Sequence, residues 1–171
     1  LKAFNLVDEL IENIYTFIDV DSGGDCYLDI AEELIAKQRF KDALQLLNPL
    51  VLSKSFSLPA IWLLHADCLR AIEKFPEAIT SYKMVVQLCQ HKDARLTLAA
   101  LLKQENRLEE AIEALTQDSQ MEIMCTELLK EKCLLLKDLG RVDEFLQNGY
   151  TMVLRHSIDY RSRHEIQIVS N

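Results

Sequence analysis

The stretch that decides the fold lies mid-chain and runs Trp62-Leu-Leu-His-Ala66-Asp-Cys-Leu69, then Lys74-Phe75-Pro-Glu-Ala78-Ile-Thr-Ser-Tyr82. Its apolar side chains recur at spacings of three and four residues, as on one face of an α-helix. Ala66 and Ala78 are 12 residues apart, and a small residue at both positions allows two helices to cross closely. The stretch therefore predicts a helical hairpin.

Two further segments repeat this pattern, and the three units are offset by 35 and then 33 residues. This offset matches the period of about 34 residues of the tetratricopeptide repeat (TPR). We therefore predict an all-α array of TPR helical hairpins that forms a right-handed superhelical solenoid. Each unit has two framework alanines and, three positions before the second, a bulky residue expected to fill the inter-helix turn: Ala31, Phe40 and Ala43; Ala66, Phe75 and Ala78; Ala99, Leu108 and Ala111.

A fourth unit is degenerate, as terminal repeats commonly are. Cys133 and Phe145 take its two alanine positions, and Gly140 is expected to end its first helix in a left-handed conformation. The predicted organisation is a leading amphipathic helix, interpreted as the remnant of a preceding repeat, then three TPR units, the degenerate unit and a C-terminal tail: 1–18, 24–57, 58–91, 92–120, 121–156 and 157–171.

Local signals set the expected helix ends. Residues 19–25 are rich in Gly, Asp and Ser and predict a loop. Ser57 is a candidate cap beside Pro59, and both Pro59 and Pro76 suit a first helical turn. Pro49 should kink its helix or end it early. Helix pairs are expected at 25–38 and 40–53, 59–73 and 75–90, 93–105 and 108–117, and 121–138 and 142–156.

Composition narrows the classes of partner. The formal net charge is −8, whereas a nucleic-acid surface needs clustered Lys and Arg, so direct nucleic-acid binding is not expected. The five cysteines include no Cys-x-x-Cys pair, which favours free, buried thiols in a reducing compartment. No apolar run reaches the roughly 18 residues of a membrane-spanning helix. The first residue is Leu1 rather than Met, so we expect a piece of a longer protein.

Catalytic, metal and cofactor sites are not predicted. The run 19–30 resembles a calcium-binding loop, but Ile30 stands where the closing Glu is required. His65 lies among apolar residues and is expected to be a hydrogen-bonded packing histidine. Cys68 has no basic neighbour in sequence to activate it. We therefore expect no enzyme activity and no small-molecule substrate.

The concave face of a TPR array is lined by the first helix of each unit, and it is the candidate site for a protein partner. A mixed apolar and charged face suits an amphipathic helix or an extended peptide; the alternative is a merely solvated face. TPR co-chaperones grip a terminal carboxylate with Lys and Asn, but leucines and acidic residues hold those positions here (Leu28 and Glu32, Leu63 and Asp67). Acidic residues repel a carboxylate, so a chaperone-tail clamp is not expected. The candidate positions are Leu28, Glu32 and Ile35; Leu63, Asp67 and Arg70; Leu96, Ala100 and Lys103.

Residues outside the framework resemble one family. Tyr27-Leu-Asp-Ile-Ala-Glu-Glu-Leu-Ile35, Leu58-Pro-Ala-Ile-Trp-Leu-Leu-His-Ala-Asp-Cys-Leu-Arg70 and Asp93-Ala-Arg-Leu-Thr-Leu-Ala99 are similar to the TPR-containing subunit of general transcription factor IIIC, of the RNA polymerase III machinery. The resemblance covers about 25–160 and implies the second, C-terminal-side TPR array of a nuclear scaffold. It also implies contacts with other transcription factor IIIC subunits and with transcription factor IIIB components, which the scaffold places upstream of the start site.

Two other classes of function stay open at this point. One is a TPR adaptor of another complex, such as a co-chaperone or a ubiquitin-ligase subunit. The other is a regulatory arm attached to an enzyme elsewhere in a longer chain.

Overall fold

A computed structural model describes residues 2–117 and 125–154, with side chains from Leu6 onward. These ranges contain nine α-helices and no strand. The chain divides into two compact units, Leu1–Ala94 and Arg95–Asn171. The helices are α1 (Lys2–Phe17), α2 (Val20–Ala36), α3 (Phe40–Leu52), α4 (Pro59–Ala71), α5 (Phe75–Leu88), α6 (Lys92–Gln104), α7 (Leu108–Leu115), α8 (Thr126–Asp138) and α9 (142–154).

The framework alanines lie in the core. In the first unit α2 packs on α3, α3 on α4 and α4 on α5, and in the second unit α7 packs on α8. The bulky turn residues Phe40, Phe75 and Leu108 are the first residues of α3, α5 and α7, and each is half-buried. All six alanines are at most 3% exposed: Ala31, Ala43, Ala66, Ala78, Ala99 and Ala111.

Each hairpin turns through one residue in the left-handed conformation. The N–H of that residue bonds to the carbonyl three positions back, and the next N–H bonds to the carbonyl five back, as from Arg39 to Leu34 at 2.8 Å. This Schellman motif satisfies carbonyls at the end of the first helix. The four turn residues are offset by 35, 33 and 34: Gln38 (φ 59°), Glu73 (φ 62°), Asn106 (φ 58°) and Gly140 (φ 69°). The prediction for Gly140 is confirmed, and the fourth turn keeps the repeat although both of its alanines are lost.

A basic residue follows each turn residue and pairs with a carboxylate three positions later. The carboxylate lies in the first turn of the second helix, where the helix dipole also favours negative charge. This second signature was not predicted, although it is visible in the sequence as Lys/Arg-x-x-Asp/Glu at the same offsets. The pairs and their N–O distances are Arg39–Asp42 (2.6 Å), Lys74–Glu77 (3.7 Å), Arg107–Glu110 (2.7 Å) and Arg141–Glu144 (2.6 Å).

The predicted loop at 19–25 is wrong, because α2 begins at Val20. Asp19 caps it by accepting a hydrogen bond from the Ser22 N–H at 3.3 Å. The glycines serve close packing instead of a loop. A Cβ on Gly23 would lie 2.2 Å from Ile18 Cγ2, and one on Gly24 would lie 2.5 Å from the Phe56 ring. Gly23 also has non-helical backbone angles, which place a kink in the first turns of α2.

Pro59 and Pro76 lie in first helical turns, as predicted. Ser57 is not a cap, because α4 is capped at Leu58 without a side-chain bond. The Ser57 hydroxyl instead accepts a hydrogen bond from the Trp62 indole N–H at 2.9 Å. The bond joins the segment before α4 to a half-buried side chain of the helix.

Pro49 does not end its helix at once, since α3 runs on to Leu52. Proline has no N–H, so the Gln45 carbonyl four residues earlier has no donor at that position. The Tyr15 hydroxyl of α1 donates to this carbonyl. The Tyr15 ring also packs edge-on against Tyr27 at 5.9 Å. The proline therefore leaves an acceptor through which α1 is held against α3.

The second helix of the fourth hairpin is less buried than the second helices of the other hairpins, at a repeat position that all four share. Leu44, Ile79 and Ile112 hold the same repeat position in α3, α5 and α7 and are buried, whereas Leu146 in α9 is 59% exposed. Cys133 is buried at its alanine position, and Phe145 is half-buried at the other. The predicted tail at 157–171 and the predicted junction at 120–121 lie outside the described residues.

Candidate protein-binding groove

The nine candidate positions lie on α2, α4 and α6, the first helices of the three clear hairpins. None of them is fully buried. Leu28, Ile35, Leu63 and Leu96 are half-buried. Each helix therefore turns a partly apolar stripe away from its core contacts.

The second unit brings three of these positions together in an open groove of about 570 Å³. Two neighbouring alanines of α6 lie in its wall. The buried Ala99 belongs to the framework, whereas Ala100 is exposed. Small side chains at both positions leave room for a large apolar side chain of a ligand. The groove is lined from α6, α7 and α8 by Leu96, Ala99, Ala100, Lys103, Gln104, Leu115, Glu127, Lys130 and Glu131.

The rim of this groove carries both signs of charge. Lys103 and Lys130 contribute cations, and Glu127 and Glu131 contribute carboxylates, around an apolar floor that includes Leu115. Leu115 is 1% exposed, so it is the floor and not part of the rim. An apolar centre surrounded by polar groups is the arrangement by which proteins hold peptide segments.

In the first unit, two candidate positions are joined by a residue that the sequence analysis missed. The Tyr82 hydroxyl of α5 donates to the Asp67 carboxylate, and Arg70 Nε donates to the same hydroxyl at 3.1 Å. Arg70 Nη2 also lies 3.5 Å from Asp67 Oδ1. Burial and the bond to Asp67 raise the pKa of Tyr82. The sequence does mark this residue, because Tyr82 holds the repeat position that is leucine in the first and third hairpins, at Leu47 and Leu115.

This network changes the expected behaviour of Arg70. Its guanidinium neutralises Asp67 and supports Tyr82, so it is partly committed within the fold. A charge reversal there would disturb folding as well as binding. Lys103 makes no such bond to the described residues and is the cleaner probe of the groove.

His65 is the hydrogen-bonded packing histidine that the sequence predicts. Nε2 lies 2.9 Å from Asn48 Oδ1 and Nδ1 lies 2.9 Å from Ser81 Oγ, so the ring joins α3, α4 and α5. Burial lowers the pKa of His65. The Trp62 ring meets it edge-on at 6.0 Å.

The cysteines and Asp21, the other side chains weighed for catalysis or metal binding, are part of the packing and hydrogen bonding of the fold. All five cysteines are free, with Cys68 and Cys133 buried and the other three half-buried. Burial and the neighbouring Asp67 raise the pKa of Cys68 to about 11, which keeps it a thiol. Asp21, in the run 19–30 that only resembles a calcium-binding loop, accepts a hydrogen bond from the Ser53 hydroxyl at 2.5 Å. Among the described residues no cluster of three metal-binding side chains occurs, and none of the helices there is long and apolar enough to cross a membrane.

Comparison with known proteins tests the resemblance to the transcription factor IIIC subunit. Human general transcription factor 3C polypeptide 3 is 32% identical to the chain in an alignment 165 positions long, which covers 90% of the chain and 19% of that protein. The resemblance to a transcription factor IIIC subunit is confirmed. The chain spans about a fifth of the length of this relative. No family model matches the chain.

Solved structures confirm the predicted fold class. MamA superposes with a TM-score of 0.63 at 14% identity, covering 94% of both chains. YrrB, described as a TPR protein with an unusual peptide-binding site, superposes with a TM-score of 0.57 at 17% identity, covering 74% of this chain and 65% of YrrB. The chain is an all-α array of TPR hairpins.

Proposed function

We propose that this chain is a protein–protein interaction scaffold within transcription factor IIIC. In this role it recruits and positions transcription factor IIIB in the nucleus for transcription by RNA polymerase III. It would also contact other transcription factor IIIC subunits, as part of the C-terminal-side TPR array of a longer protein. The observation that carries the proposal is the similarity to the human subunit over 90% of the chain.

The groove of the second unit supports the way in which a partner is held. A volume of about 570 Å³ accommodates several side chains of a bound segment. Ala100 and Leu96 offer apolar surface next to Lys103, so a segment with a large apolar residue beside a carboxylate would be complementary.

Charge supports a protein partner over a nucleic acid. The net charge of −8 opposes binding to a phosphate backbone. Asp67 and Glu32 occupy the positions at which a chaperone-tail clamp needs cations, so the co-chaperone alternative lacks its anchor.

The test is capture of purified transcription factor IIIB subunits by the immobilised 171-residue chain. Lys103→Glu reverses a rim charge, and Ala100→Leu fills the groove from an exposed position without enlarging a core residue. We expect each to lower capture by about three- to tenfold, since contacts at the centre of an interface carry most of its energy.

Lys41→Glu is the matched control, because Lys41 is exposed on α3, a second helix, and undergoes the same charge change. It should capture as well as the unchanged chain. Capture of chaperone tails or ubiquitin-ligase subunits in place of initiation factors would overturn the proposal, as would equal losses in the control.

A further inference from the structure

The acidic character of the chain is concentrated at one end. Residues 1–36 contain nine Asp or Glu and a single Lys, a balance of −8 that equals the net charge of all 171 residues. The rest of the chain therefore carries equal numbers of acidic and basic residues. These 36 residues form α1 and α2, so any electrostatic preference of the first unit for a partner arises mainly there.

Part of this charge lies on the face of α2 that the groove hypothesis uses. Asp25, Leu28, Glu32 and Ile35 are spaced by three, four and three residues, which places them in one stripe along the helix. Leu28 and Ile35 are half-buried, and the two acidic residues are exposed. At about 1.5 Å of rise per residue, the carboxylates of Asp25 and Glu32 are about 10 Å apart along the axis.

Neither of these carboxylates is used by the fold. Asp25 and Glu32 make no hydrogen bond or ion pair within the described part of the chain. Glu33, by contrast, pairs with Lys37 at 2.9 Å, and Asp67 of α4 pairs with Arg70. The stripe of α2 thus presents two unbalanced negative charges beside two apolar side chains.

The equivalent stripe of α4 is balanced. Its residues are Ala60, Leu63, Asp67 and Arg70, with one charge of each sign. Both α2 and α4 pack on α3. Of these two neighbouring helices, only α2 carries a stripe with a net negative charge.

We propose that the α2 stripe is the docking site for a basic amphipathic segment of a protein partner. The segment places an apolar side chain on Leu28, between two Lys or Arg side chains that reach Asp25 and Glu32. If it is helical, its cations are seven residues apart. The proposal rests on the scaffold function above and adds to it the charge and spacing of the partner.

A designed helical peptide of leucine and lysine, with cations at positions i and i+7 and leucine at i+3, is the probe. Its affinity for the 171-residue chain is measured by fluorescence anisotropy, with circular dichroism as the check on folding. We expect Asp25→Asn with Glu32→Gln to weaken binding by about three- to tenfold, as the loss of two surface ion pairs implies. A peptide of the same composition with its lysines moved together should bind the unchanged chain more weakly.

The matched control removes the same charge from the same unit at other places. Asp8 and Glu12 are exposed on α1. Asp8→Asn with Glu12→Gln should leave affinity within twofold of the unchanged chain. An equal loss in this control would show that the peptide responds only to net charge, and an unaltered affinity in the stripe variant would equally overturn the proposal.

Capture of transcription factor IIIB subunits separates this inference from the function on which it rests. If Lys103→Glu lowers capture while the stripe variant leaves peptide binding unchanged, the docking inference fails and the scaffold function stands. If neither variant changes capture or peptide binding, both are refuted.

Discussion

Two glycines of the fourth hairpin should respond to the same substitution in opposite directions. An added Cβ would meet nothing within 4 Å at either Gly140 or Gly149, so steric clash plays no part. Gly140 has φ of +69°, whereas Gly149 lies inside α9. The difference between them is therefore one of backbone conformation alone.

The magnitudes follow from that difference. A left-handed alanine costs about 1–2 kcal/mol, and the stiffer unfolded chain returns about 0.4–1 kcal/mol. Gly140→Ala should thus lower the free energy of unfolding by about 0.5–1 kcal/mol. Gly149→Ala has no such penalty and should raise it by about 0.5–1 kcal/mol, the usual gain in a helix interior.

Urea denaturation followed by circular dichroism at 222 nm measures both values, and each m-value must match that of the unchanged chain for the comparison to hold. Glu73→Gly supplies a third point, because Glu73 adopts φ of 62° in the second hairpin and should gain stability from glycine. Stabilisation by Gly140→Ala, or equal effects at the two glycines, would refute the assignment of a Schellman turn to the fourth hairpin.

Three further outcomes are expected. Ala66→Leu should cost about 1–3 kcal/mol because this residue is fully buried, whereas Ala71→Leu at the exposed end of α4 should cost less than about 0.5 kcal/mol; equal melting temperatures would contradict the helix register. Ile112→Ala should cost about 2–4 kcal/mol, and Leu146→Ala, at the same repeat position but 59% exposed, should cost far less in the same denaturation assay. Since burial lowers the pKa of His65 in the folded state, its contribution to stability is fully present above the unfolded pKa of about 6.5 and is lost as the pH falls below it. The free energy of unfolding should therefore fall between pH 7.5 and 5.5, and His65→Gln should flatten this slope; an unaltered slope would contradict the buried neutral ring.

The alanine spacing predicts the hairpins because the physical requirement is local and strict. A close crossing of two helices tolerates only small residues. The presence of alanine at positions 31 and 43 is therefore enough to predict the crossing of α2 and α3. The same reasoning predicts the turn at Gly140, since glycine adopts the left-handed conformation at little energetic cost. It misses the identical turns at Gln38 and Glu73, where tertiary packing holds ordinary residues in that conformation.

Other errors arose where a residue's partner is distant in sequence. Gly23 and Gly24 led to the prediction of a loop. In the structure, an Ile18 methyl group takes the space that a side chain on Gly23 would fill, and the Phe56 ring does the same at Gly24. The Tyr15 bond to the Gln45 carbonyl joins residues 30 positions apart, and no local pattern encodes it.

The candidate groove was predictable in part. Repeat position alone placed Leu96, Ala100 and Lys103 on one face, and the structure brings them into one groove. It could not show that Arg70 and Asp67 are tied to Tyr82, because that depends on how α4 and α5 pack. The unpaired state of Asp25 and Glu32 likewise emerges only when every neighbouring cation has been placed.

Amide hydrogen exchange of the chain, alone and in complex with captured transcription factor IIIB, tests the central claim most directly. If the first helices hold the partner, binding should slow exchange in α6 and α8, which line the groove, and leave α3 unchanged. Protection confined to α3 and α5, with α6 and α8 unaltered, would contradict a scaffold that works through its groove.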